Sequence, residues 1–415
     1  MAQVYPFQPF RYTEKAGPAE NLVTQPYDKI SPEMQRRYLS LSPYNLVRII
    51  LGEKKPDDSA GDNVYTRAAL HLNDWIAGGI LARDAEAGIF PYFQEFTVPD
   101  TGERLVRKGF IALAAVEDYA AGVVHRHEQT LSGPKKDRLE LLRHTHAHFG
   151  QIFMLYPDAA GAVDQLLDEA ARGRPLTEVM DEYGGIHRLW KIAGASPIPQ
   201  LMADKKLLIA DGHHRYETAL AFRDENPGLE GASRVMMTFV NMHSPGLKIL
   251  ATHRLVSGLD GSGLDASRLP DEFLRRVSEE FTASEIDSVD RLREAWAGRG
   301  DRNIIGAAIG KRLFLLEDRA ARGELDVRIL HERLLAKALG IGEQAVRDEK
   351  HLRYVRGIEG AVEAARTGAA QIAFLLKPTS IEQVAGTSFG GGVMPQKSTD
   401  FYPKLLSGLT IYKIG

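Results

Sequence analysis

The sequence predicts a mixed α/β fold, and three stretches carry that prediction. In the first, "KKLLIA" at 205–210 reads as a buried strand, "YETALAFRDE" at 216–225 as a helix and "SRVMMTFVNM" at 233–242 as a second strand, with a polar corner between strand and helix. In the second, "IFPYFQEFTV" and "RLVRKGFIALAAV" flank Pro99, Asp100, Thr101 and Gly102, residues whose backbone preferences close a hairpin. The third is "QIFMLYP" at 151–157, an apolar run of strand length directly after a helical pattern that spans Lys136 to Phe149.

The remaining elements follow in chain order. Aromatics alternate with proline in "VYPFQPFRY" and "VTQPYDKIS", and each proline excludes helix from the residue before it, which predicts strands and turns. Ser31 ahead of Pro32 and Glu33 has the form of a helix start, so "PEMQRRYLSL" is expected to be helical. "NLVRIIL" reads as a strand before a polar loop. The spacing of Ala69, Leu72, Trp75 and Ile76 predicts a helix over 65–81, closed by Gly78 and Gly79. Residues 158–200 read as mainly helical, with a turn at Gly184 and Gly185. The loop "SGLDGSGLDASRLP" marks a boundary, which predicts a core over 1–258 and a C-terminal α/β domain over 259–415. In the second, "EFLRRVSEEF" and "VDRLREAWAGRG" read as helices, "NIIGAAIG", "RLFLLED" and "QIAFLLK" as strands, and the glycine-rich tail as a long loop.

Bulk properties narrow the function. A chain of 415 residues with 44% hydrophobic and 26% charged residues has the balance of a globular protein of two or three domains. Its 52 basic and 55 acidic residues leave a net charge of −3, so no general attraction for nucleic acid or an acidic membrane surface is expected. The absence of cysteine removes disulfides, thiolate metal sites and cysteine nucleophiles. No apolar run has the length of a membrane span, and Met1 to Tyr12 lacks the apolar centre of a signal peptide, so a cytoplasmic location is expected.

Chemistry concentrates in a few clusters. The run Asp211, Gly212, His213, His214 and Arg215 sits where a strand gives way to a helix, and helix starts expose unpaired amides beside a positive dipole end. Anions settle there. Gly212 allows close approach, His213 and His214 can donate hydrogen bonds, and Arg215 offers forked donors to phosphate. Asp211 suits a hydroxyl or a magnesium ion, or it is simply a helix cap. A second cluster, "HRHEQTLSGPKKDR", packs His125, His127, Glu128, Thr130, Lys135, Lys136, Asp137 and Arg138 together; Glu128 has the chemistry of a general base, and Lys135 or Arg138 can neutralise phosphate. A charged loop entering a helix would look the same. His144 and His148 lie four apart on the expected helix, a spacing zinc ligands use, although no flanking glutamate completes a zinc motif. Lys397, Ser398 and Thr399 follow glycines, but not in the order of a phosphate loop. Asp28 follows Pro26 and Tyr27 in an expected turn, as a candidate carboxylate or an ordinary turn residue.

Five blocks, "YPFQPFRY", "QPYDKIS", "HEQTLSGPKKDRLELLR", "ADGHHRYETAL" and "MPQKSTDFYPKLLSGL", resemble the bacterial and archaeal family named domain of unknown function 1015, along essentially the whole chain. Locally, Asp211–Arg215 looks like the corresponding motif of free-serine kinases built on the ParB and sulfiredoxin type of fold. That resemblance implies a ParB/sulfiredoxin-like nucleotide-binding core, ATP or ADP as phosphoryl donor, Mg2+, and transfer to a small amino acid, L-serine giving O-phosphoserine. It would place Gly212, His213, His214 and Arg215 on the nucleotide phosphates, and the charges of Lys135, Arg138 and Lys397 suit them to join there. The resemblance does not assign the base; from the residues it is Glu128 first, then Asp28 or Asp211, with His127, Thr130 and Tyr27 at the amino acid. Two other readings stay open: a nucleotide-gated ParB-like binding protein and a metal-dependent hydrolase built on the histidines.

Overall fold

The computed structural model describes residues 2–128, 132–259 and 268–415. They divide into two compact units, Met1–Lys248 with Pro403–Gly415, and Ile249–Tyr402. The first unit breaks off at Lys248, and the last stretch of chain packs with it. Its backbone bonds there, Ile411 with Phe10 and Ser407 with Thr24, and Tyr412–Lys413 pairs with Ala147–His148.

In the first unit a ten-stranded mixed sheet runs, edge to edge, Val124–His125, Leu207–Asp211, Ile152–Tyr156, Arg234–Asn241, Arg104–Ala115, Gly88–Thr97, Ile186–Leu189 and Thr177–Met180, with two short strands added at Val4–Tyr5 and Ile192–Ala193. Leu207–Asp211 is parallel to Val124–His125 and antiparallel to Ile152–Tyr156, which in turn is parallel to Arg234–Asn241. The helix His213–Glu225 joins Leu207–Asp211 to Arg234–Asn241 past Ile152–Tyr156, which lies between them in the sheet. Leu207, Leu208 and Ile209 are fully buried, as a strand covered on both faces requires. The register slips between Ile209 and Asp211. Such a bulge breaks the ladder and re-aims the next side chain, here Asp211.

Most expected elements form. The hairpin pairs Phe90 with Ile111 through Thr97 with Arg104. Ser31 Oγ accepts the Met34 amide and opens the helix Pro32–Leu41, and Asn63 caps Val64–Ala77. Two expectations fail. "NLVRIIL" is not a strand: Val47–Ile50 is a short helix, because Asn45 Oδ1 accepts the Val47 amide at 2.9 Å and starts a turn, and Val47, Ile49 and Ile50 are buried locally. Residues 158–200 are helical only at Ala162–Ala170 and Ile198–Met202; Thr177–Met180 and Ile186–Leu189 form a hairpin. Its turn is fixed by Asp181, which accepts the amides of Tyr183 (2.9 Å) and Gly185 (2.8 Å), and by Gly184 at φ 79°. Val179, His187 and Leu189 bury on alternation, a period-two signal masked by the charged residues between them.

The second unit is built on a six-stranded antiparallel sheet in the order Phe281–Ile286, Arg312–Arg322, Arg302–Ile309, Ile372–Leu375, His253–Val256 and Leu352–Val355. Apolar clusters cover both faces, one around Phe273, Phe314 and Leu334 and one around Leu292, Trp296 and Ala361. Among the described residues no helix is long and apolar enough to cross a membrane.

Candidate active site

Pairing with Val124–His125 ends at Leu208, and beyond it His127 Nδ1 donates to the Ile209 carbonyl at 2.7 Å. Because a carbonyl only accepts, that bond fixes the proton on Nδ1. The ring of His213 meets His127 edge-on, with centroids 4.7 Å apart. Burial holds His127 at a pKa of about 4 and pushes His213 well below the ordinary imidazole range, so both rings are neutral at pH 7. His213 Nε2 is buried without a hydrogen-bond partner.

Asp211 stands on the far side of the bulge as the last strand residue. Burial opposes its charge, but Lys404, Arg215 and Lys29 more than offset that penalty, and the carboxyl sits far below the usual carboxylate range. Lys404 Nζ lies 3.2 Å from Asp211 Oδ2, and Arg215 Nη2 lies 3.9 Å from Oδ1. Gly212 then turns the chain into the helix with φ 95°, a left-handed conformation that favours glycine. A β-carbon there would meet the Arg215 guanidinium at 3.0–3.1 Å. Arg215 Nη1 in turn donates to the Gln151 carbonyl at 2.6 Å. A β-carbon on Gly150 would sit 3.2 Å from Arg215 Nη1 and from Ser407 Oγ. Two glycines therefore make the room in which this guanidinium lies.

The second cluster folds against the first. The helix Ser132–Thr145 packs on His213–Glu225, and Lys135 Nζ reaches Glu217 Oε2 at 2.5 Å, with Arg126 Nη1 3.6 Å from Oε1. Glu217 is buried one helical turn beyond His213. Arg138 lies over the Tyr27 ring at 4.0 Å, donates to the Ile50 carbonyl at 2.8 Å and pairs with Asp137. Tyr27, Arg138, Gly150, Arg215, Thr218 and Ser407 contribute to the lining of a cavity of about 60 Å3. Burial raises the Tyr27 pKa, with Asp28 acting in the same direction and Arg138 and Arg215 opposing it.

The family described as "Protein of unknown function (DUF1015)" matches residues 4–333, most of the chain. The chain belongs to this family. Among solved structures, the DUF1015 chain is similar to a free serine kinase in complex with AMP, at 15% identity and TM-score 0.38, covering 70% of this chain and 88% of the other. A free serine kinase variant in complex with ADP gives 14% identity, TM-score 0.39 and the same coverages. A conserved hypothetical protein from Pyrococcus furiosus gives 15%, 0.36, 69% and 91%. No curated protein matches.

In this DUF1015 chain, Asp211, Gly212, His213, Arg215 and His127 form one corner, with Lys135, Arg138 and Tyr27 packed around the same helix start and cavity. His214 is half-buried, and its carbonyl accepts the Thr218 hydroxyl at 2.7 Å. Glu128 is half-buried next to His127, and Asp28 is 39% exposed with Lys29 Nζ 3.8 Å away. Thr130 lies outside the described residues. Lys397 belongs to the second unit, where its left-handed backbone (φ 57°) presents a carbonyl to Arg254 Nη2 at 2.9 Å. The expected zinc spacing fails: the helix stops at Thr145, His146 is left-handed at φ 47°, and His148 lies on a strand, stacked on Tyr412. His144 and His148 therefore do not share a helix face. Among the described residues no group of three His, Asp or Glu could hold a metal ion.

Lys404, Lys29 and Glu217 are the site residues that sequence reasoning missed. Each lies inside a quoted block, but Lys404 is 193 residues from Asp211 and no spacing links them. Glu217 had a usable signal, since it is four residues after His213 on the same helix face.

The neutral rings of buried His127 and half-buried His148 set an acid limit. His127 and His148 titrate near 6.5 when unfolded and at about 4 when folded, so between those values the unfolded chain binds more protons. Stability is full above pH 6.5 and falls as the pH drops toward 4, by on the order of 3 kcal/mol for each histidine. Thermal melts across that interval should show a progressive fall in Tm; a flat profile would contradict the burial of these rings.

Proposed function

We propose that the chain is a phosphotransferase that moves a phosphoryl group from ATP or ADP to the hydroxyl of a small amino acid, L-serine giving O-phosphoserine. The observation that carries this reading is the convergence of Lys404 (3.2 Å) and Arg215 (3.9 Å) on the single carboxylate of Asp211, with the charge of Lys29 acting on it as well, at the start of a helix whose first residue holds an unpartnered buried nitrogen. Three cations around one anion favour a ligand that brings further negative charge, and the helix start adds free amides and its dipole. The choice of nucleotide and serine follows the resemblance of the Asp211–Arg215 motif.

In the reaction, the serine oxygen attacks the terminal phosphorus, the bond to the nucleotide oxygen breaks, and the hydroxyl proton passes to a carboxylate. Asp211 is a poor acceptor for that proton, because its cations hold it strongly acidic. It suits orienting the phosphates or their counter-ions. Glu128 and then Asp28 are assigned as the base. Lys404 and Arg215 steady the charge that builds on the phosphoryl oxygens. Magnesium, when bound, would neutralise the phosphates; the described residues offer it no cage, only single carboxylates such as Asp211, the arrangement usual for a metal carried by a nucleotide.

The test is incubation with ATP or ADP, magnesium and each common amino acid, read by mass spectrometry. The proposal expects one phosphorylated product, phosphoserine; no product with either donor overturns it. Glu128→Gln should then lower kcat about a hundredfold or more with little change in nucleotide affinity. If Asp28→Asn does this instead, the base is Asp28.

A further inference from the structure

Lys404 reaches Asp211 from a segment that has just returned to the first unit, and its backbone is held from below by a chain of buried polar residues. Gln94 Nε2 donates to the Lys404 carbonyl at 2.8 Å, and Arg107 Nη2 donates to the Pro403 carbonyl at 2.5 Å. Arg107 Nε also donates to Gln94 Oε1 at 3.0 Å, which ties the two side chains together. Two residues on, the Leu406 amide donates to Tyr92 Oη at 3.3 Å. Tyr92 then donates to His187 Nδ1 at 2.6 Å, and His187 Nε2 donates to Asp181 at 3.1 Å. The order of donors is forced, because Asp181 is acceptor-only and an amide can only donate.

This chain is costly to build. Arg107 is 1% exposed and His187 fully buried, and a guanidinium taken from water carries a penalty of several kcal/mol. Arg107 directs donors at neutral oxygens, and its ring contact is the face of Phe153 at 4.5 Å. Burial pulls its pKa down to about 9, opposed by Tyr92 and by the charge of Asp211. Gln94 faces Arg107 across the central hairpin and His187 across the adjoining strand, and Tyr92 lies two residues before Gln94, on the same face of its strand. Rigid sheet positions therefore fix three successive points of the returning segment, at Pro403, Lys404 and Leu406.

We propose that the buried chain Asp181–His187–Tyr92, with Gln94 and Arg107, is a positioning device that holds the Lys404 ammonium against Asp211. Its consequence for turnover rests on the phosphotransferase reading; its consequence for Lys404 does not. Gln94→Met keeps the side-chain volume and removes the bond to the Lys404 carbonyl, and Tyr92→Phe, a smaller change, removes the acceptor of the Leu406 amide. Full-length variants are pulse-labelled with an amine-reactive acetylating reagent, and modification of each lysine is read by mass spectrometry. The expected result is an increase of about threefold or more at Lys404 in Gln94→Met, and a smaller one in Tyr92→Phe, with other lysines unchanged. No change at Lys404, or an equal rise at every lysine, overturns the proposal. Kinetics supply the second readout: Gln94→Met lowers kcat on its own but adds nothing in a Lys404→Met background, whereas an additive loss assigns Gln94 to general stability. If no variant or wild type makes phosphoserine, the phosphotransferase reading fails while the labelling result still decides the positioning role.

Discussion

Lys404→Met should lower kcat/KM for nucleotide-dependent phosphorylation about a hundredfold or more without unfolding the protein. Lys404 is the cation closest to Asp211, at 3.2 Å, and only 11% of its side chain is exposed. Methionine keeps the packing of the stem and removes the ammonium, so the loss falls on charge rather than on volume. Two effects add. A donor to the phosphates disappears, and Asp211 loses the largest of the cationic influences that hold it acidic. Steady-state kinetics with circular dichroism as a fold control check this; a change below about threefold would remove Lys404 from the phosphate site.

Arg215→Ala should also cost about a hundredfold in turnover, but with a measurable loss of stability beside it. Its guanidinium has two tasks. One nitrogen faces Asp211 at 3.9 Å and another holds the Gln151 carbonyl at 2.6 Å. Gln151 is buried, so stripping its carbonyl of a charged donor costs about 1–3 kcal/mol. Arg215→Lys restores charge but not the fork, and should recover only part of the activity. Full activity in Arg215→Ala would sink the assignment of this corner.

What the residues disclosed depended on how local the signal was. The strand–corner–helix unit at 207–225 was legible because its apolar run, glycine and helical spacing lie side by side. The hairpin at 88–115 was legible for the same reason. Val47–Ile50 was not, since so short a stretch gives strand and helix the same pattern and the arbiter, the side chain of Asn45, acts through a local turn bond to the Val47 amide. The hairpin at 177–189 hid behind charged residues on its exposed face. At the site, the Asp211–Arg215 motif pointed to a phosphate corner, but the partner that most strongly sets the charge of Asp211 arrives from residue 404 through long-range return of the chain. His144 and His148 show the opposite failure: a local spacing that the helix end at Thr145 cancels.

The corner of Asp211, Arg215 and Lys404 is assigned to phosphoryl transfer onto an amino acid hydroxyl. Phosphorus NMR of the protein with magnesium, L-serine and either ATP or ADP tests it most directly. A phosphomonoester resonance of O-phosphoserine should grow, matched by loss of the donor's terminal phosphoryl signal. Release of inorganic phosphate alone, or spectra that do not change with either donor, would contradict it.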